Sequence, residues 1–223
     1  MSSPRPLPHI AVVLVHGLYM RPWTLGLLAR RLRADGLSTH QFGYPSLSAS
    51  PREVAERLAV YLRSVAGGTV HLVAHSLGGL VLHHLFHRYP QQRPGRVVTL
   101  GTAHLGSAVA AGLLARGLGP ALGRSIEQGL LGDLPPWDET RELGVIAGSL
   151  GHGLGRFFAR LAEPHDGTVA VAETRLPAAR VHLVLPVSHL GLLVSARVAR
   201  ETAQFLTSGR FLPPVSPGEH VTR

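Results

Sequence analysis

The chain has 223 residues, 45% of them hydrophobic, and its 22 basic residues are all arginine, giving a net charge of +9. Such length and apolar content suit one domain with a sizeable core and exclude a disordered chain. The lack of cysteine excludes disulfides, zinc–thiolate centres and a thiol nucleophile. The arginines are scattered without a dense basic run, which argues against a nucleic-acid partner, while a basic surface suits transient contact with an anionic membrane.

Residues 1–9 are proline-rich and are expected to be loose, as are residues 213–223. The apolar run 10–15 is too short for a membrane span and lacks a small-residue cleavage site, so the expected location is the cytoplasm. Its β-branched character suits a parallel strand buried on both faces. Residues 21–35 follow as a helix with Leu25, Leu28 and Leu32 at helical spacing and Gly36 as its stop. A second strand covers 38–44, ended by Pro45. Ser50-Pro51-Arg52-Glu53 is a strong helix start, with Ser50 as cap, Pro51 in the first turn and Glu53 completing a capping box. Residues 69–75 form a third strand, 77–88 a helix stopped by Pro90, and 96–100 a fourth strand. From 107 to 136 the composition turns to Ala, Gly and Leu, which reads as short helices with glycine breaks. A fifth strand is expected at 142–147, then a helical piece holding Phe157, Phe158 and Leu161, a sixth strand at 181–185, and a terminal helix at 190–206 stopped by Gly209.

Strands alternating with helices predict an α/β fold: a mostly parallel sheet of about six strands with helices on both faces, in a single domain spanning 1–223. Ligands of such sheets bind beyond the carboxyl ends of the strands. His16-Gly17-Leu18 follows the first strand there, Ser76 the third, Asp166 lies after the fifth, and His189 follows the sixth. Strand, Ser76 and helix have the layout of a nucleophile elbow, G-x-S-x-G, whose tight turn admits only small flanking residues. Those residues are Ala74, in place of the usual glycine, and Gly78.

On these motifs the chain resembles the compact lipase and carboxylesterase members of the α/β-hydrolase superfamily. The resemblance rests on Val-His-Gly-Leu at 15–18, Ala-His-Ser-Leu-Gly-Gly at 74–79, Gly-Thr-Ala-His-Leu-Gly-Ser at 101–107, Asp-Gly-Thr-Val at 166–169 and Ser-His-Leu-Gly at 188–191. It covers about 10–211. The family usually begins with two further strands, so the chain looks like a minimal version, similar to small bacterial lipases that also carry alanine at the elbow's first glycine. The resemblance implies a serine hydrolase acting on acyl esters or lipids through an acyl-serine intermediate, with no metal or cofactor. Ser76 would be the nucleophile, His189 the base and then the acid, and Asp166 the group that orients the imidazole. The backbone N–H groups of Leu77 and Leu18 would form the oxyanion hole.

Each role has a plainer rival. Asp138 is the alternative acid, and His182 and His220 are the other histidines after Asp166. His16 and His75 read as structural, and His104 stands open between site and structure. His83, His84 and His87 are a tempting metal cluster, but no carboxylate lies nearby in sequence, so a packed or solvated helix face is expected. The segment 108–136 sits where such hydrolases carry a lid, and Trp23 and Trp137 are candidate linings of an acyl pocket. Thioesterases, amidases and acyltransferases use the same triad. A non-catalytic binding protein on this fold is the alternative from another class, and the presence of serine, acid and histidine together favours the enzyme.

Overall fold

The computed structural model describes residues 10–213 apart from Glu139 and Leu154, so the expectation of loose termini at 1–9 and 213–223 lies, but for Pro213, outside the described residues. Six strands, β1 (Ile10–Val15), β2 (Ser38–Phe42), β3 (Thr69–His75), β4 (Val97–Leu100), β5 (Leu143–Gly148) and β6 (Val181–Leu185), form one sheet in the order β2-β1-β3-β4-β5-β6. Every neighbouring pair is parallel. The chain steps from β1 outward to β2, then crosses back to β3 and continues the other way. That reversal, between β1 and β3, is the switch point at which a crevice opens above the strand ends.

Both faces of the sheet are covered, as the unbroken apolar strands require. Val13 and Val15 point to one side and pack with Val54 and Leu58 of α2 (Pro51–Ser64) and Leu80 and Leu85 of α3 (Leu77–Arg88). Val12 and Leu14 point to the other and meet Leu28 of α1 (Gly26–Ala34) and Phe205 of α6 (Ala196–Ser208). Burying each such side chain fully stabilises the fold by about 1.5–3 kcal/mol. The capping box at Ser50 forms as its sequence predicts: Glu53 N–H donates to Ser50 Oγ at 3.3 Å and Ser50 N–H to Glu53 Oε2 at 3.1 Å.

Three elements differ from the sequence reading. The helix expected at 190–206 is broken into α5 (Gly191–Val194) and α6, because Ser195 adopts an extended backbone and its hydroxyl caps α6 at Val198 N–H, 3.4 Å away. The helical piece around Phe157 is a single 3-10 turn, Gly155–Phe157. β2 stops at Phe42, short of Tyr44. The alanine- and glycine-rich segment holds α4 (Ala108–Ala115) and a 3-10 stretch, Gly119–Ile126, kinked at Gly123. Among the described residues no helix is long and apolar enough to cross a membrane.

Candidate active site

Ser76 sits between β3 and α3 with φ 52° and ψ −120°. A non-glycine residue there stores about 1–3 kcal/mol of strain, so its surroundings must fix it. Ser76 N–H donates to Leu100 O at 2.9 Å, and Ser76 O accepts from Thr102 Oγ1 and Gly79 N–H, each at 3.0 Å. Crowding explains the glycines that follow. A Cβ on Gly78 would lie 2.6 Å from Val15 O, and one on Gly79 would lie 2.2 Å from Thr102 Oγ1. Ala74 is fully buried in the sheet without such conflict.

Asp166 lies in the loop after β5 and is 1% exposed. Its Oδ1 accepts Thr168 N–H at 2.9 Å and Val169 N–H at 2.7 Å, leaving Oδ2 to face His189 Nδ1 at 2.7 Å. As a carboxylate, Asp166 only accepts, so the bond at Oδ2 is donated by His189 Nδ1–H. The two loops are also joined by His189 N–H donating to Asp166 O at 2.9 Å. Space for this pair comes from Gly101, φ 58°, where a Cβ would come within 3.1 Å of both Asp166 Oδ2 and His189 Cε1.

Ser76 and His189 line one cavity of about 300 Å³, together with Leu18 and Leu77. No hydrogen bond links the Ser76 hydroxyl to the His189 ring, a gap that such sites often close only around substrate. Among the described residues, no group accepts a hydrogen bond from Leu18 N–H or Leu77 N–H. Leu77 opens α3, where the helix dipole favours negative charge. The rest of the cavity wall is mostly apolar, with Leu80, Leu113, Leu122 and Phe158, and Tyr19, Ser107 and Thr168 are its other polar residues. The arrangement therefore offers a hydroxyl, an imidazole with a buried anion behind it, two free donors and an apolar chamber.

The other sequence candidates lie elsewhere. Asp138 bonds the N–H and hydroxyl of Thr140, and His182 meets Thr174 Oγ1 at 2.8 Å. His16 is buried, stacked 4.2 Å from the ring of Tyr44, whose hydroxyl donates to His16 O. His104 bonds His83 and Thr99 rather than the cavity. His83 donates to Pro135 O and His84 to Gln128 O, and among the described residues no group of three ligands could hold a metal. Neither tryptophan lines the cavity. Trp137 is buried against Phe86 and His83, and Trp23 is 75% exposed.

Glu173 escaped the sequence reading, and His75, read there as structural, has a partner that the sequence does not name. His75 is fully buried and its Nε2–H donates to His189 O at 3.1 Å, bracing the loop that carries His189. Burial, reinforced by the neighbouring His189, holds its pKa well below the ordinary histidine value, so it stays neutral. Its place beside the serine is the only sequence signal. Glu173 ties three segments together: its Oε1 accepts Ala108 N–H at 2.7 Å, Oε2 accepts Ala170 N–H at 2.9 Å, and its backbone O accepts Leu105 N–H at 3.0 Å. Burial, with a smaller push from the Asp166 charge, raises its pKa. No motif marks it in the sequence.

No family model matches the chain, and no curated protein does. Solved structures do match. The mature lipase BlEst2 of Bacillus licheniformis superposes with a TM-score of 0.71 at 22% identity, covering 92% of this chain and 93% of that one. The pyrethroid hydrolase PytH gives 0.63 at 15% identity over 90% of this chain and 99% of its own. The metagenomic carboxyl esterase MGS0156 gives 0.62 at 18% identity, with 84% and 68% coverage. The chain thus has the α/β-hydrolase fold, in a minimal form with a six-stranded, all-parallel sheet.

Proposed function

We propose that the chain is a serine hydrolase of carboxylic esters, acting through an acyl-serine intermediate. The observation that carries this reading is the Asp166–His189 bond, 2.7 Å long, delivered to the same cavity as a serine held at φ 52°. In this mechanism His189 Nε2 takes the Ser76 proton as Oγ attacks the ester carbonyl. Leu18 N–H and Leu77 N–H stabilise the oxyanion, each worth about 3 kcal/mol in the barrier. The protonated His189, stabilised by Asp166, then returns its proton to the departing alcohol. Water repeats the sequence in reverse roles and frees Ser76. The solved neighbours named as lipase and carboxyl esterase support an ester as substrate. We take the segment 108–136 as a cap over the acyl chamber of a single catalytic domain, and the cytoplasm as its location.

Hydrolysis of nitrophenyl octanoate by the native protein and by Ser76→Ala tests the proposal. The native protein should turn over, and Ser76→Ala should lose at least about 10⁴-fold in kcat. Equal rates in the two would end the reading.

A further inference from the structure

Tyr19 stands apart from the rest of the cleft wall. It directly follows Leu18, and its backbone is left-handed, φ 58°, which is uncommon for a bulky side chain. Its N–H donates to Ser46 Oγ at 3.1 Å. Its hydroxyl reaches across to donate to Ala121 O in the 3-10 stretch Gly119–Ile126. That stretch is pinned nearby in turn. Arg124 N–H donates to Leu47 O at 2.8 Å, and a Cβ on Gly123 would lie 2.2 Å from the same oxygen. Two hollows meet here. One is the cavity of about 300 Å³ that holds Ser76; the other, about 270 Å³, is lined by Met20, Arg21, Leu47 and Ser48 among others. Among the described residues, Tyr19 alone lines both.

Building on the ester-hydrolase reading, we infer that Tyr19 is a specificity-determining partition that sends the acyl arm of the substrate into the first hollow and the alcohol arm into the second. The two arms of an ester leave its carbonyl carbon in different directions, so each needs its own space. An apolar cavity of about 150 Å³ holds the six carbons of benzene, so the first hollow suits an acyl chain of roughly ten carbons. The second hollow has Arg21, Ser46 and Ser48 among its lining residues, beside the apolar Met20, Pro45 and Leu47, and we take the polar ones to seat a small polar alcohol. The substrate class is then a medium-chain ester of such an alcohol.

Two substrate series test this. In nitrophenyl esters from acetate to palmitate, the native protein should be fastest at about eight to ten carbons and fall about tenfold or more at palmitate. Among octanoyl esters it should prefer glycerol over octanol. Tyr19→Ala joins the hollows, so its acyl optimum should move beyond about twelve carbons and its preference for glycerol should drop about tenfold. Tyr19→Phe keeps the ring and should keep both optima. If Tyr19→Ala slows every ester by one common factor with both optima unmoved, Tyr19 is structural only and the partition is wrong. If the native protein hydrolyses no ester, the ester-hydrolase reading fails, and a binding measurement still decides the partition. Calorimetric titration of Ser76→Ala with decanoate and with palmitate should show binding of decanoate alone. The Ser76→Ala/Tyr19→Ala protein should bind both, and identical binding by the two proteins would overturn the partition.

Discussion

Two histidine networks lie at strand ends of the same sheet and differ in two ingredients, an anion and a cavity. His189, after β6, has the buried Asp166 carboxylate at 2.7 Å behind it and the cavity in front. His104, after β4, bonds His83 Nε2 at 2.9 Å and Thr99 Oγ1 at 3.0 Å, with Trp137 packed against both rings. Every bond of the second network has a fixed direction. His83 Nδ1–H donates to Pro135 O, so its Nε2 must accept from His104 Nδ1–H, and His104 Nε2 accepts the Thr99 hydroxyl. His83 cannot gain a proton at Nε2 without losing the bond from His104, and His104 can gain one only if the Thr99 hydroxyl turns round to accept. Burial accordingly pushes the His83 pKa down to about 4 and that of His104 well below its usual value. In the proposed function a histidine at a strand end acts as a base when an anion answers its charge and a cavity exposes its second nitrogen. Without those it is a strut.

The largest effect expected is from Asp166→Asn, which gives His189 a neutral partner like that of His104. Its kcat on nitrophenyl octanoate should fall about 10⁴-fold, because the amide no longer sets the tautomer or stabilises the imidazolium. A loss below about tenfold would erase the distinction between the two networks.

Next in size is the acid response of the closed network. His83 titrates at about 4 in the folded chain, against the ordinary value of 6.5 when unfolded. Between those values the unfolded chain binds more protons, so stability falls as pH falls through that window and levels off below it. His83 alone contributes on the order of 3 kcal/mol to this loss. Urea unfolding at steps across the window should show the slope, and His83→Gln should make it shallower, with His71, His75 and His104 among the groups that supply the remainder.

Smaller again is His104→Leu, which leaves His83 Nε2 and the Thr99 hydroxyl buried without partners. It should cost about 1–3 kcal/mol of stability and leave kcat nearly unchanged, since His104 is absent from the cavity wall. Chemical denaturation and kinetics on one preparation separate the two effects. The smallest change is expected for His75→Leu, which removes the bond to His189 O. A lost bond of about 1 kcal/mol should appear as a several-fold drop in kcat at constant KM, with His75→Gln restoring part of it.

The parts of the site that the sequence displays are those set by backbone crowding and by position along the chain. Gly78 and Gly79 are legible because only glycine fits against Val15 O and Thr102. Asp166 and His189 are legible because an alternating chain must deliver them to one end of a parallel sheet. Ser50 and Glu53 announce their helix because a capping box is local. What the sequence conceals depends on partners far away in the chain. The grip of Glu173 on Ala108, the bond from His75 to His189 and the reach of Tyr19 to Ala121 leave no local pattern. Trp137 misled for the same reason: its apolar ring packs against Phe86 and His83, and nothing near it in sequence says so. The break at Ser195 is hidden because the apolar spacing across 190–206 reads as one continuous helix.

Peptide mapping after treatment with a fluorophosphonate tests the Ser76 assignment most directly, because a serine activated by a neighbouring base attacks the reagent's phosphorus and expels fluoride, leaving a phosphonyl-serine. The account predicts a single adduct on Ser76 of the native protein, absent from Ser76→Ala and strongly slowed in Asp166→Asn. No adduct on the native protein, or one that persists in Ser76→Ala, would contradict it.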